Sequence, residues 1–318
     1  MTTYLATRLT SMIPVVLLVT LFVFVLGRMI PGDPIMQLIP PEEARTLTPE
    51  QVEGMRRAYG LDRPLAVQYV SWLGELVQGD LGRSIRNRQQ VTFMVAERLP
   101  VTGQLALMAM IISLTIGVPL GVLAALRPRS MLDSITSVTA LMGVSMPNIF
   151  LATALIFIFA FTLQIMPSGG FVRFTDGPLE SLKHALLPAI TLGTGLMGSV
   201  MRITRTSMIE VLGLDYVATA RAKGLGPQRV LFGHALKNAF IPVLTVIGLQ
   251  VGGILGGSFI VEQIFAIPGI GRLAVNAIFS RDYPVVQGVV LFIALVYLVV
   301  NLIVDLIYAA LDPRIRYA

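Results

Sequence analysis

"LPVTGQLALMAMIISLTIGVPLGVLAAL" runs from Leu99 to Leu126 without a charged residue. A helix needs roughly 20 residues to cross a hydrocarbon core of about 30 Å. A charge at the centre of such a span costs about 2.5–3.5 kcal/mol, so a charge-free run of this length belongs in a bilayer. Five further runs repeat the pattern: Leu9–Gly27, Ser134–Val172, His184–Met201, Asn238–Val261 and Tyr283–Val304, each at least 18 residues long. Ser134–Val172 exceeds one span and is expected to end near Gln164, where "QIMPSGG" supplies a proline and two glycines as a turn. The pattern predicts an all-α membrane protein with six transmembrane helices.

Composition agrees. Of 318 residues 55% are apolar and 13% charged, against about 25% charged in soluble domains. Mean hydropathy is +0.78. There are no cysteines, which excludes disulfides, thiolate metal sites and a thiol nucleophile. The net charge of +6 does not indicate nucleic acid, because its distribution has another cause. Arg202, Arg205, Arg221, Lys223, Arg229 and Lys237 lie between the fourth and fifth runs, and Arg127 and Arg129 between the second and third. In the link between the last two runs, Arg272 and Arg281 are balanced by Glu262 and Asp282. Basic excess on alternate loops is the positive-inside pattern and predicts cytoplasmic N- and C-termini. The first run is longer than a signal-peptide core, and "RMIPGDP" offers no small-residue cleavage site, so it reads as an uncleaved span.

Three regions follow: 1–30, the N-terminus and first span; 31–98, a nearly neutral helical insertion expected outside; and 99–318, a core of five spans with a cytoplasmic segment at 208–237. Within the insertion, Thr48 is expected to cap a helix beginning at Pro49. "PLAVQYVSWLGELVQG" places Val67, Val70, Leu73 and Val77 on one face of a second helix.

The longest soluble-looking link in the core, "LDYVATARAKGLGPQRVLFGHALKNA" (Leu214–Ala239), reads as two short helices. Asp215 is a candidate N-cap. Val217, Ala220 and Gly224 form one stripe, Ala218 and Ala222 a neighbouring one, with Arg221 between them. Gly224, Gly226 and Pro227 stop the first helix and restart the chain. A helix so short of bulk lets another surface come close. A solvated basic loop, contact with anionic lipid and docking on a cytoplasmic protein all fit these residues.

Here the sequence resembles the permease subunits of ABC importers. Ala218-Thr219-Ala220 and Gly224 occupy the family's Glu-Ala-Ala…Gly signature, with Leu236 at a later apolar position. Ala218 replaces the family Glu, His234 an Ile and Lys237 a Pro. "TARAKG" and "HALKNA" resemble the dipeptide, oligopeptide and nickel branch. So do "PGDP", "YGLDRPL", "GDLGRS", "FAIPGIGRL", "RDYPVVQG" and "DPRIR"; Gln90 stands where the branch usually has Pro. The resemblance implies the type I importer permease fold, a bacterial inner-membrane location, a second related permease and two cytoplasmic ATPases. It also implies an extracytoplasmic solute-binding protein and a peptide cargo, with nickel chelates, glutathione and other small solutes served by the same branch. Asp215, Ala218, Ala220, Arg221, Lys223 and Gly224 become the implied coupling segment seated in an ATPase groove. ATP and Mg would be held by those partners, with no cofactor on this chain.

No G-x-x-x-x-G-K-[ST] and no G-x-S-x-G occurs, and His184 and His234 lack the companions a metal site needs. The chain is read as non-catalytic. "MGVSMPNIF" (Met142–Phe150) puts Pro147 inside the third run, where a kink is expected. Ordinary helix packing and a path wall explain it equally; the resemblance favours the wall, formed by Ser145, Met146, Pro147, Asn148 and, from the fifth run, Gln250. Asp305 reads as a structural hydrogen-bonding residue near the interface. The broken stretch containing Phe265, Pro268 and Gly269 is too short to span and is expected to re-enter or lie on the external face, shaping the mouth by analogy with the family. A proton-coupled secondary transporter should show mid-span ionisable residues and inverted symmetry, and neither is visible. A membrane anchor for a cytoplasmic enzyme is a further rival.

Overall fold

The computed structural model describes residues 2–29, 48–58 and 61–311. The motifs "PGDP" and "DPRIR" lie outside the described residues. The helices are α1 Thr2–Met29, α2 Pro49–Ala58, α3 Leu65–Val77, α4 Val91–Leu126, α5 Met131–Ser145, α6 Asn148–Leu155, α7 Pro178–Leu212, α8 Asp215–Ala222, α9 Leu236–Gly257, α10 Phe259–Ile264, α11 Ile270–Phe279 and α12 Tyr283–Leu311. A π-helical stretch, Ile156–Thr162, prolongs α6, and another, Val230–Ala235, leads into α9.

Among the described residues, five helical stretches are long and apolar enough to cross a membrane: Thr7–Arg28, Val91–Leu126, Pro178–Leu212, Pro227–Ile254 and Tyr283–Tyr308. The sixth is a bent pair, Met131–Ser145 with Asn148–Thr162, turning through 102°. The sequence predicted a kink here, and the structure has a full break. Met146 is extended (φ −75°, ψ 122°) and Pro147 is the cap of α6 (φ −62°, ψ 133°). Pro147 disfavours helical backbone in the residue before it, which is why the interruption begins at Met146. The helix ends at Thr162, and Gln164 takes a positive φ of 52°, where the sequence placed the turn.

The chain forms two compact units. One contains Thr2–Leu99 and Leu273–Val296. Here α2 begins with a reciprocal cap: the Thr48 N–H donates to Gln51 Oε1 (2.9 Å) and the Gln51 N–H to Thr48 Oγ1 (3.4 Å). Helix α3 rests on α1 through Tyr69 and Trp72, whose rings lie 5.4 and 5.8 Å from that of Phe24. The Tyr69 hydroxyl also donates to the Leu17 carbonyl (3.2 Å). This differs from the predicted face: Val67, Val70 and Val77 are exposed. Two aromatic rings bury more area than three valines, and the hydroxyl gains a partner.

The other unit contains Pro100–Arg272 and Tyr297–Ala318. Its core joins Leu105 and Ala109 of α4, Ala152 of α6, Leu187 and Leu192 of α7, Ile254 of α9, and Val261 and Phe265. Ser130 caps α5, accepting the Asp133 N–H. The Asp133 carboxylate receives Arg205 Nε and Nη2 (2.5 and 2.8 Å) and the Arg129 N–H (2.9 Å). Asp133 is buried, so this two-pronged pair fastens the start of α5 to α7.

Candidate functional site

Helix α8 lies across the ends of α7 and α9. Its inner face carries Val217 and Ala220, both buried, which pack in one cluster with Met208, Val211, Val230, Ala235 and Ala239. Ala220 of the candidate coupling set therefore faces its own chain. Asp215, Ala218, Arg221, Lys223 and Gly224 are exposed, as is Thr219. The cap expected of Asp215 falls one residue earlier. Leu214 is the N-cap and has no side-chain bond to offer; Asp215 is the first helical residue, where its charge still favours the positive helix end.

The end of α8 is specific. Gly224 has φ +80°, its N–H donates to the Arg221 carbonyl (2.9 Å), and the Leu225 N–H donates to the Ala220 carbonyl (3.3 Å). This is a Schellman cap, which calls for a left-handed residue at that position and brings Leu225 against Ala220. Gly224 was singled out in the sequence for close approach; its backbone supplies a second, local reason. Among the described residues, a β-carbon at Gly224 would meet nothing within 4 Å beyond its chain neighbours.

A hydrogen-bonded strap fixes α8 to α9. Asn238 Nδ2 donates to the Tyr216 hydroxyl (2.7 Å) and to the His234 carbonyl (3.2 Å), and the Tyr216 hydroxyl donates to that same carbonyl (3.3 Å). Sequence reasoning missed Tyr216, whose aromatic ring beside a small-residue stripe was its only mark.

The proposed path residues partly converge. A cavity of about 250 Å³ is lined by Gly143, Val144, Met146 and Asn148 from the broken pair, Leu192, Gly195 and Leu196 of α7, and Gly253 and Ile254 of α9. Gln250 is tied to the same wall, its Nε2 donating to the Leu196 carbonyl (3.2 Å). Its Oε1 is sealed from solvent and accepts no hydrogen bond among the described residues. Ser145 and Pro147 are exposed at the break and do not line this cavity. Of the glycines around Gln250, Gly252 serves packing: Tyr297 of α12 occupies the place of its missing side chain.

The stretch expected at the mouth is built around Glu262, which the sequence counts only as a link charge balancing Arg272. Glu262 is fully buried. Its Oε1 accepts the hydroxyls of Thr102 (2.9 Å) and Ser258 (3.0 Å), and its Oε2 the Arg272 N–H (2.7 Å). Thr102 Oγ1 in turn accepts the Ile270 N–H (2.8 Å). Gly269 is buried because the Glu262 carboxylate occupies the space its β-carbon would need. Phe265 is core, and its carbonyl accepts the Gly170 N–H (2.8 Å); Pro268 is exposed. The signal was available: Glu262 is a lone acid between "SFIV" and "QIF", and an acid in such a setting is rarely incidental.

Comparison with known proteins agrees along the whole chain. A putative peptide transport system permease protein of Brucella abortus (strain 2308) is 44% identical, covering 100% of both chains. The oligopeptide transport system permease protein AppB of Bacillus subtilis (strain 168) is 40% identical, again with 100% of both covered. The di/tripeptide transport system permease protein DppB of Pseudomonas aeruginosa (strain UCBPP-PA14) is 42% identical, covering 100% of this chain and 99% of its own. Among solved structures, an inward-facing MetNI methionine ABC transporter superposes with a TM-score of 0.56 at 17% identity, covering 69% of this chain and 97% of that one, and so shares the fold. Residues 1–106 match the N-terminal region of binding-protein-dependent transport membrane components. Residues 117–317 match the binding-protein-dependent transport system inner membrane component, and the chain belongs to that family.

Proposed function

We propose that this chain is the non-catalytic permease subunit of an ATP-driven peptide importer. In this reading it pairs with a second permease around the path, two ATPases dock below the pair, one of them at α8, and a solute-binding protein delivers cargo from outside. The supporting observation for cargo is full-length similarity to proteins named as peptide permeases. For coupling, it is an exposed face of Ala218, Thr219, Arg221 and Lys223 on a helix backed by a buried cluster. Small residues let that face enter a groove, and the two cations set its orientation against an acidic rim. ATP-driven closure of the motor then moves α8, and with it α7 and α9, alternating access to the path.

The orientation assigns α8 and the 127–130 link to the cytoplasm and the α2–α3 region to the outside. Reporter fusions after Arg63 should read outside, and fusions after Arg129 and Arg221 inside; a cytoplasmic signal at Arg63 overturns this orientation.

The cavity presents Asn148 as a polar group without fixed charge, a lining that accepts a varied cargo without trapping it, and Gln250 braces its wall from behind through the bond to Leu196. Gln250→Leu removes the bond to Leu196, worth about 1 kcal/mol, and should slow uptake by about fivefold. The ranking of a peptide panel should stay the same, because the binding protein selects. Uptake by the reconstituted complex with one fixed binding protein is the measurement, and a reordered panel would place selectivity in this chain.

A further inference from the structure

A second cavity, of about 410 Å³, opens between α5 and α7 and lies within the usual range for ligand sites, roughly 300–1,000 Å³. Its lining is sorted along the helices. Thr136 and Ser137 of α5 and Arg202, Arg205 and Thr206 of α7 form one end; Ala140, Leu141 and Val144, packed on Gly198 of α7, form the other, with Met201 between them. Both helices contribute polar residues at the same end, where α5 begins and α7 finishes. From Thr136 to Val144 the helix rises about 12 Å. Arg202 and Arg205 are the first charges after the charge-free run His184–Met201, which puts them at headgroup depth with the apolar end in hydrocarbon.

The two arginines are not equivalent. Arg205 is committed to Asp133. Arg202 is exposed, and its guanidinium makes no hydrogen bond or ion pair among the described residues. Leu141 and Val144 are exposed too, at 64% and 47%. The Thr206 hydroxyl is spent on the Arg202 carbonyl (3.0 Å) and that of Ser137 on Asp133, so the unspent group at the polar end is the Arg202 guanidinium. One free cation at the mouth of a cavity that turns apolar matches a phosphate ester that carries an acyl chain.

We propose that the α5–α7 cavity binds an anionic glycerophospholipid, with the phosphate on Arg202 and the acyl chain along Leu141 and Val144. Basic pockets between spans are the common form of headgroup recognition. Naming the cytoplasmic leaflet rests on the orientation proposed above; the depth of the site does not.

The complete transporter, in nanodiscs of phosphatidylcholine with a minor fraction of phosphatidylglycerol, provides the test. Native mass spectrometry should find phosphatidylglycerol enriched on the parent complex. Arg202→Gln should cut that enrichment about fivefold, the factor one basic residue at a headgroup supplies, and Arg202→Lys should retain most of it. A photocrosslinker at Leu141 should capture lipid. Unchanged enrichment in Arg202→Gln overturns the proposal, as does capture of the second permease at Leu141. Arg202→Cys in this cysteine-free chain reports the leaflet separately through membrane-impermeant thiol labelling. Labelling from outside would refute the orientation while leaving the lipid result standing.

Discussion

Gly224→Glu should lower substrate-stimulated ATP hydrolysis by the assembled transporter about 30-fold or more, while the chain still inserts in the membrane. Two separate effects meet at this position. Gly224 has φ +80°, a left-handed conformation that costs other residues roughly 1–2 kcal/mol. That strain loosens one cap and is too small to unfold a chain of this size. Among the described residues, none beyond the immediate chain neighbours lies within 4 Å of an added β-carbon, so the new side chain projects outward onto whatever docks there. A carboxylate beside Arg221 and Lys223 opposes the charge pattern of the face, and a mispaired charge in a desolvated contact costs about 2–5 kcal/mol. Gly224→Ala carries the strain without the charge and should lose only a small part of the activity. Gly224→Asn, which accepts the left-handed region, should lose least. If Gly224→Ala fails as badly as Gly224→Glu, the cap itself is the requirement and docking is not; unimpaired stimulation in Gly224→Glu removes the contact altogether.

The second large effect is expected at Glu262. Glu262→Leu leaves the Thr102 and Ser258 hydroxyls and the Arg272 N–H without their acceptor in a sealed site. Each such orphan costs about 1–3 kcal/mol, and together they rival the entire stability of a typical domain, about 5–15 kcal/mol. Folded complex should therefore fall to near nothing by fluorescence-detected size exclusion. Glu262→Gln keeps the size and one good acceptor, so it should yield complex that melts several degrees lower. Gly269→Ala forces a methyl group into the space of the carboxylate and should resemble Glu262→Leu. Parent-like melting of Glu262→Leu would refute the hub.

The spans were legible because the bilayer imposes one rule over long stretches. Leu99–Leu126 could be read from the absence of charge alone, and it lies in α4. The broken span was read only halfway. Pro147 signals an interruption, but the 102° angle between the two halves is a tertiary property that no local pattern encodes. The α3 face was misread because a valine period was counted and two aromatic residues one position away were not. In α8 the stripe of Val217 and Ala220 was visible, but whether it faced inward or toward a partner depends on how the chain folds back to bring Met208 of α7 and Ala235 onto it. Glu262 was read only as a link charge because its partners, Thr102 and Arg272, come from separate segments and no spacing joins them.

Helix α7 is uninterrupted by proline from Ala189 to its end, since Pro188 is its only internal proline. Met208 sits in the cluster beneath α8, and Leu196 lines the cavity beside Gln250. Twelve residues separate them, about 18 Å of helix. Such a rod acts as a lever: a tilt of about 10° pivoting near Met208 displaces Leu196 by about 3 Å over that length. Gln250, hydrogen-bonded to the Leu196 carbonyl, is drawn along or loses its bond. A displacement of this size is comparable to the diameter of a water molecule, so under the proposed coupling a small push on α8 would be enough to reshape the cavity.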